Sequence, residues 1–341
     1  MRVVVTGAAG FIGSHVAEIL AVEGHEVLAI DDLSGGFEEN VPAVCRFEKR
    51  GVETPLDALF GSFRPEAVYH LAAYAAEGLS HHIPVFNYRN NVLATANVLA
   101  AAYRCGSRHF TFTSSIAAYG HPEGSEPFSE ESACRPCDPY GIAKLACEQH
   151  IAGMHRHFGR PDYTIFRPHN VFGPRQNVSD PYRNVVAIFM RCALEGRPMP
   201  IFGDGTQTRS FSYIAAVARC IAAAPFTERA RNRTFNLGGD ESMSVYELAR
   251  NVATVMGVPL EVQWLPARKE VAHAHCRHDF SRSVFAEAYA HHVGIVEGLG
   301  LMADYVRSRP IPPPTECPAP IEILDELPPF WADRLRYDRS R

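Results

Sequence analysis

The chain begins Met1-Arg2-Val3-Val4-Val5-Thr6-Gly7-Ala8-Ala9-Gly10-Phe11-Ile12-Gly13, and the reading of this stretch decides the fold. Arg2–Val5 has the β-branched run of a short strand. Ile12–Glu23 carries apolar residues at helical spacing, so the glycines fall on the turn between the two. Glycine is needed where a backbone turns tightly and approaches an anion closely. The helix that follows offers free N–H groups and the positive end of its dipole. In this strand–turn–helix setting, the G-x-x-G-x-x-G spacing predicts a dinucleotide pyrophosphate held by Gly7, Gly10, Phe11, Ile12 and Gly13; a bland glycine-rich turn is the alternative. Asp31 closes the next strand, Glu26–Ile30, eighteen residues after Gly13. A carboxylate there accepts hydrogen bonds from the adenosine ribose and repels a 2′-phosphate. Asp31, with Asp32 beside it, therefore points to NAD rather than NADP as the cofactor.

Outward from this start, short apolar strands at Ala67–Leu71, His109–Thr113 and Tyr163–Phe166 alternate with helical patterns at Tyr88–Arg104 and Tyr140–Phe158. A βαβα alternation implies an α/β fold, a Rossmann-type doubly wound parallel sheet covered by helices on both faces. The second half is more broken, with turns at Gly203-Asp204-Gly205 and Gly238-Gly239 and candidate helices at Asn184–Leu194, Val245–Met256 and Val284–Ala290. We expect residues 1–168, plus about 209–236, to form the NAD-binding domain. Residues 169–208 and 237–341 then form a smaller α/β substrate-binding domain with a proline-rich C-terminal tail. Within that tail Leu327-Pro328-Pro329-Phe330-Trp331 reads as a segment that docks on the body.

Composition narrows the function. The 341 residues are 46% hydrophobic and 21% charged with a formal net charge of −5, the profile of a folded chain without the basic footprint of a nucleic-acid binder. No apolar run approaches the ~20 residues that span a bilayer, and Met1–Val5 leads into fold-like sequence without a signal-peptide layout. Nine scattered cysteines, an odd count, suggest reduced thiols and a cytoplasmic setting. Cys134-Arg-Pro-Cys137 and the run His273, His275, His278 and Asp279 have ligand chemistry but lack a second pair or a fixed spacing, so no metal is expected.

The strand His109–Thr113 leads into Ser114-Ser115, and Tyr140 and Lys144 lie one helical turn apart downstream. At i and i+4 the two side chains share a face, so an ammonium can sit near the phenol. A tyrosine ionises ordinarily near ~10, and a neighbouring cation together with a positive nicotinamide favours the phenolate. Ser115 would hydrogen-bond a substrate hydroxyl and share its proton. Only three lysines occur, against thirty arginines, which makes one of them falling in Tyr-x-x-x-Lys less easily a matter of chance.

With these residues in place, the chain resembles the extended short-chain dehydrogenase/reductases, and within them the NAD-dependent nucleotide-sugar epimerase/dehydratase family, with UDP-glucose 4-epimerases the nearest in pattern. The resemblance runs through Thr6–Gly13, Tyr69–Ala73, Asn91-Val92 with Thr95, Ser114–Gly120, Tyr140–Lys144, Arg167–Gln176, Pro200–Gly205 and Thr208–Tyr213. It implies Ser115, Tyr140 and Lys144 as the catalytic set, and Leu71, Ala72, Ala73, Asn91 and Pro168 as further cofactor neighbours. It also implies a nucleotide-sugar substrate, UDP-linked, with Asn170 near the sugar diphosphate and Asn184 and Val185 at the nucleotide phosphates. Phe202 falls in the uracil-stacking segment, and Arg209 and Arg268 match two arginines that clamp the pyrophosphate, a role suited to guanidinium forks.

Departures from the family pattern bear on substrate. Gly51 stands where an aspartate usually holds the adenine, Tyr74 replaces a common glutamine, and His275 and Cys276 occupy the region expected to control sugar size. Ile116-Ala117 after Ser115 offers no acid for water elimination, and neutral Asn177 favours a neutral hexose over a hexuronate. Small and apolar residues on more than one face of Tyr88–Arg104 and Tyr140–Phe158 suggest a homodimer built on a four-helix bundle.

Overall fold

The computed structural model describes all residues except 123, 125, 269–272, 316, 318, 329–330 and 332–341, and of 273–274 only the backbone. In chain order the strands are β1 (Arg2–Thr6), β2 (Glu26–Asp31), β3 (Arg46–Lys49), β4 (Ala67–His70), β5 (His109–Thr113), β6 (Asp162–Pro168), β7 (Asn170–Phe172), β8 (Met199–Phe202), β9 (Thr208–Tyr213), β10 (Arg233–Leu237), β11 (Ser242–Ser244), β12 (Val262–Leu265) and β13 (His273–Ala274). The α-helices are α1 (Phe11–Val22), α2 (Asp57–Phe63), α3 (Glu77–Ser80), α4 (Pro84–Tyr88), α5 (Ala94–Cys105), α6 (Pro139–Phe158), α7 (Val185–Leu194), α8 (Ile214–Ala223), α9 (Val245–Met256), α10 (Asp279–Val284), α11 (Ala286–Tyr289) and α12 (Ile295–Arg307).

Seven strands form one parallel sheet in the order β10-β6-β5-β4-β1-β2-β3, the doubly wound Rossmann arrangement expected from the sequence. Side chains alternate across β1, so Val3 and Val5 pack with Val16 and Leu20 of α1 and Val217 and Ile221 of α8. Val4 faces the other layer, with Phe60 of α2, Val98 of α5 and Ile151 of α6. Burial on both faces is why β1 reads as an unbroken apolar run. A third core joins α7, α9 and α12 around Phe189, Leu248 and Leu299. Beside it lie a mixed sheet of β7, β9, β11 and β13 and a parallel pair of β8 and β12. We propose that these smaller sheets and the third core make up the substrate-binding part. Among the described residues β9 pairs with β7, β11 and β13, so on this proposal the return to the larger sheet falls at α8, against the expectation of about residue 209.

Local chemistry explains the element ends. Asp138 caps α6 by accepting from Gly141 N–H at 2.8 Å, Pro139 takes the first helical position, and Gly159 closes the helix at φ +70°. Ser244 and Glu247 form a capping box on α9. Two expected helices are interrupted. Tyr88–Arg104 contains a π-helical stretch, Arg89–Leu93, joining α4 to α5 and turning Asn91 inward. Val284–Ala290 breaks at Phe285, whose buried ring packs on Phe166 and Phe235 and holds its backbone outside the helical region.

The C-terminal segment crosses the molecule as a strap. Thr315 N–H donates to Ser179 O at 3.0 Å, and Glu322 N–H donates to His82 O at 2.8 Å. The Glu322 carboxylate accepts from Val85 and Phe86 N–H at 2.8 and 3.0 Å, satisfying the open end of α4. Within this strap Trp331, 2% exposed, packs against Tyr74, Leu79 and Ile83; Pro329 and Phe330 lie outside the described residues. Trp331 and Trp264 are the only tryptophans, and Trp264 is exposed. A Trp264→Phe variant should therefore show the short-wavelength emission of a buried indole. Adding Glu322→Ala should lower the urea concentration at which that emission moves to longer wavelength. An exposed-indole spectrum in native buffer would contradict the docked strap.

Candidate active site

A cavity of about 390 Å³ opens at the C-terminal ends of β1, β2, β4, β5 and β6, where ligands sit in open parallel sheets. One end is walled by Asp31–Asp32, Ser34–Gly36 and Arg50–Glu53, the other by Tyr140, Asn170, Asn184 and Arg209. Between them runs the glycine turn. Gly7 has φ +72°, and a Cβ there would stand 2.7 Å from Ala72 N. A Cβ on Gly13 would stand 2.0 Å from Gly7 O, so neither position admits a side chain. Gly10 caps α1 with no side chain to occupy the first N–H groups, leaving them to a ligand.

Asp31 is held by Ala9 N–H on Oδ2 at 3.0 Å and Leu33 N–H on Oδ1 at 2.8 Å, and a carboxylate has further acceptor capacity for a ribose hydroxyl. Burial raises its pKa, and these hydrogen bonds oppose the rise. At Gly51 the carboxylate missing from the chain position is present in space, because Glu53 Oε2 lies 2.4 Å from where a Cβ would stand. His70 sits between Thr6 Oγ1 at 2.8 Å and Thr95 Oγ1 at 3.0 Å, and burial pushes its pKa down to about 3, so the ring is neutral. Thr6 Oγ1 also accepts from Leu71 and Ala72 N–H at 3.2 Å each, which fixes the Leu71–Ala73 loop along the turn.

Ser115, Tyr140 and Lys144 all line this cavity. Ser115 caps the turn Ile116–Ala118, its Oγ accepting from Ala117 N–H at 3.1 Å. Lys144 donates to Thr113 O at 2.7 Å, with its Nζ 5.7 Å from the Tyr140 ring centre. The expected lowering of the Tyr140 pKa is not found in the protein alone: burial pushes the phenol up, and the Ser115 hydroxyl only partly opposes it. Burial pushes Lys144 down to about 8, against the weaker effects of Cys147 and Glu148. One turn further along α6, Glu148 accepts from Arg167 Nε at 2.9 Å and Nη2 at 2.5 Å and from the Ser114 hydroxyl. This buried pair joins α6 to the ends of β5 and β6. The sequence gives no periodic signal for it.

Of the other expected residues, Asn170, Asn184, Arg209 and Pro168 line the cavity. Asn184, at φ +57°, accepts from Val186 N–H and donates to Val171 O, while Asn170 donates to Ser210 O. Asn91, Val185, Phe202 and Arg268 do not line it. Asn91 instead holds Tyr74 through both backbone groups. The Arg268 guanidinium stacks 3.3 Å from the ring centre of Phe202, the residue in the expected uracil-stacking segment, and covers one face of that ring. His275 lies between Thr208 and Ser210 hydroxyls and Cys276 is buried beside Tyr119, so neither reaches the cavity. Sequence reasoning missed Asp180 and Arg183, which line the cavity together without belonging to any motif. Among the described residues no group of three ligating side chains could hold a metal ion, and no helix is long and apolar enough to cross a membrane. The side chain of His273 lies outside the described residues.

Residues 3–238 match the model of the NAD dependent epimerase/dehydratase family, more than half of the chain. The chain belongs to this family. It is 34% identical over 318 residues to a UDP-glucose 4-epimerase of Mycolicibacterium smegmatis, covering 91% of this chain and 99% of the relative. It is 30% identical to UDP-glucuronic acid decarboxylase 1 of Arabidopsis thaliana, covering 91% of this chain and 70% of that protein. The crystal structure of the Thermus thermophilus UDP-glucose 4-epimerase complex with NAD superposes with a TM-score of 0.83 at 32% identity, covering 90% of this chain and 99% of that one. As in the family, the cofactor is NAD, and the Cβ-free approach at Gly7 and Gly13 with Asp31 at the far end fits a dinucleotide.

Lys144 supplies a pH test. Between about 8 and its ordinary 10.5, the unfolded chain binds a proton at this lysine that the folded chain does not. The group therefore adds stability as pH rises through that window and contributes no slope below it. In nucleotide-free protein, the melting temperature of the wild type minus that of Lys144→Met should increase across this interval. A flat or falling difference would show that the amine stays charged when buried.

Proposed function

We propose that the protein interconverts the C4 epimers of a UDP-hexose of the glucose/galactose type, through a transient 4-keto sugar. The observation that carries this reading is Tyr140 and Lys144 on one face of α6 with Ser115 opposite, all opening into the cavity that begins at the glycine turn. NAD, when bound, supplies the acceptor and donor of the C4 hydrogen. Tyr140 takes the C4 hydroxyl proton, Ser115 orients that hydroxyl, and Lys144 stabilises the phenolate as it forms. Asn170, Asn184 and Arg209 then hold the diphosphate while the sugar turns to present its other face, and Asp31 and Asp32 hold the adenosine ribose. Ile116 and Ala117 follow Ser115 in the cavity wall and provide no acid for elimination. By the family resemblance, neutral Asn177, which donates to Gly35 O and Thr315 Oγ1, favours a neutral hexose over a hexuronate. Likeness to the decarboxylase makes another nucleotide-sugar reaction the second reading, and the carboxylates of Glu77 and Asp138, which line the cavity and act electrostatically on Tyr140, are the acidic groups within its reach.

Deuterium placed at C4 of UDP-glucose should remain at C4 in UDP-galactose, with no added NADH required and no reduced cofactor accumulating. Tyr140→Phe should lower kcat by about 10²-fold or more while NAD stays bound. A product one water or one CO₂ lighter, or loss of the label to solvent, would assign a different reaction.

We also propose a homodimer. Val85 and Tyr88 on α4, Leu93 in the π-helical stretch and Ile142 on α6 are apolar and exposed on neighbouring elements, a surface suited to a two-fold helix bundle. Sedimentation at micromolar concentration should give twice the chain mass, and Leu93→Glu with Ile142→Glu should give the monomer. A wild-type monomer would exclude this arrangement.

A further inference from the structure

Among the described residues, four cationic side chains line the cavity: Arg50, Lys144, Arg183 and Arg209. Lys144 donates to Thr113 O and Arg209 donates to Thr208 O. Arg183 differs in how it is held. Its Nε donates at 2.5 Å to Asp180, a carboxylate only 2% exposed that also accepts from Tyr182 N–H at 2.9 Å. Its guanidinium carbon lies 4.9 Å from the Tyr74 ring centre, so the plane is braced from a second side. Among the described residues no acceptor meets Nη1 or Nη2. A fork oriented through Nε, with its outer edge open, has the geometry for bidentate binding of an anion.

The position of that edge identifies the anion. A Cβ on Gly35 would stand 2.8 Å from Nη2 of Arg183. The next residue, Gly36, lies flat against the glycine turn, where a Cβ would stand 2.4 Å from Ala9 O and 2.7 Å from Gly10 N. Phe37 N–H also donates to Ala9 O at 3.1 Å. The guanidinium edge therefore overhangs the loop that walls the N-terminus of α1, the place built for a pyrophosphate. The first turn of α1 itself contains no charged cation to offset the anion's two charges.

We propose that Arg183 is a dinucleotide-binding residue that reaches from the turn before α7 to the NAD pyrophosphate on the opposite wall. Asp180 and Tyr74 act as its positioning residues. The segment 180–184 would then hold the cofactor through Arg183 and border the substrate through Asn184, so cofactor retention and the order of this turn are linked. This rests on the family's cofactor and not on which sugar is converted, so the two readings fail separately.

The test uses the holoenzyme carrying labelled NAD. In Arg183→Gln, release of the label into excess unlabelled NAD should be about tenfold or more faster. Adenosine, which has no pyrophosphate, should displace half of the remaining label at a concentration about tenfold lower than for the wild type. ADP-ribose, which loses the same contact as NAD, should displace it at an unchanged concentration. Arg183→Lys, keeping the charge without the fork, should fall between. Unchanged release would overturn the proposal, as would a parallel shift for adenosine and ADP-ribose, which marks a general loosening of the cavity. Unchanged release with a selective loss of affinity for UDP-glucuronate over UDP-glucose would also overturn it, assigning the cation to the sugar.

Discussion

The site depends on one helix being locked in register with the sheet. Lys144, buried on α6, donates to Thr113 O at the end of β5, and one turn later Glu148 takes both Arg167 of β6 and the Ser114 hydroxyl. These contacts place Tyr140 over the sheet ends at the mouth of the cavity. A buried ion pair is worth little net stability against an apolar replacement, yet removing one partner typically costs about 3–5 kcal/mol, because the other is left charged and dry. The pair therefore acts as a register device: sliding α6 by a residue would strand three charges at once. Arg167 is also covered by the Tyr119 ring 4.6 Å away, which closes the pair to water from the other side.

The same burial that fixes the geometry works against the chemistry until the ligands arrive. Desolvation raises the Tyr140 phenol and lowers Lys144, so the resting pair holds a neutral tyrosine beside an amine near its titration point. On the proposed mechanism the phenolate forms only when the cationic nicotinamide ring and the substrate hydroxyl share the cavity. Proton removal and loss of the C4 hydrogen are then coupled in time. A permanently ionised tyrosine would need a wetter or more cationic wall, which would also admit water to an oxidised sugar intermediate.

What was legible in the sequence is what local sterics dictate. Gly7 and Gly13 are glycines because backbone lies under 3 Å from where their Cβ atoms would be, and Tyr140 and Lys144 share a face because a helix turn is what it is. Illegible were the contacts between residues far apart in the chain. The Glu148–Arg167 pair, the Asp180–Arg183 brace and the return of Glu53 over Gly51 leave no period or motif. Asn91 and Phe202 show how local contacts can draw a motif residue away from the cavity wall. Each sits in a matching motif, but the first is spent on the Tyr74 backbone and the second is stacked under Arg268, so motif position did not give cavity position.

The turn at 177–184 is the part of the chain where these long-range contacts converge. Asn177 donates both to Gly35 O, on the cofactor side, and to Thr315 Oγ1 of the strap. Tyr182 packs edge-on against Trp331, and Arg183 faces Tyr74, which belongs to the same aromatic cluster. The strap therefore does not merely cover apolar surface on α3 and α4. It backs the wall from which Asn184 and Arg183 enter the cavity, so apolar burial at Trp331 is mechanically connected to polar geometry at the ligand. Loops of this kind are ordinarily the least stable part of a fold, and tethering one at both the cofactor loop and the strap keeps its two polar side chains placed without a regular element beneath them.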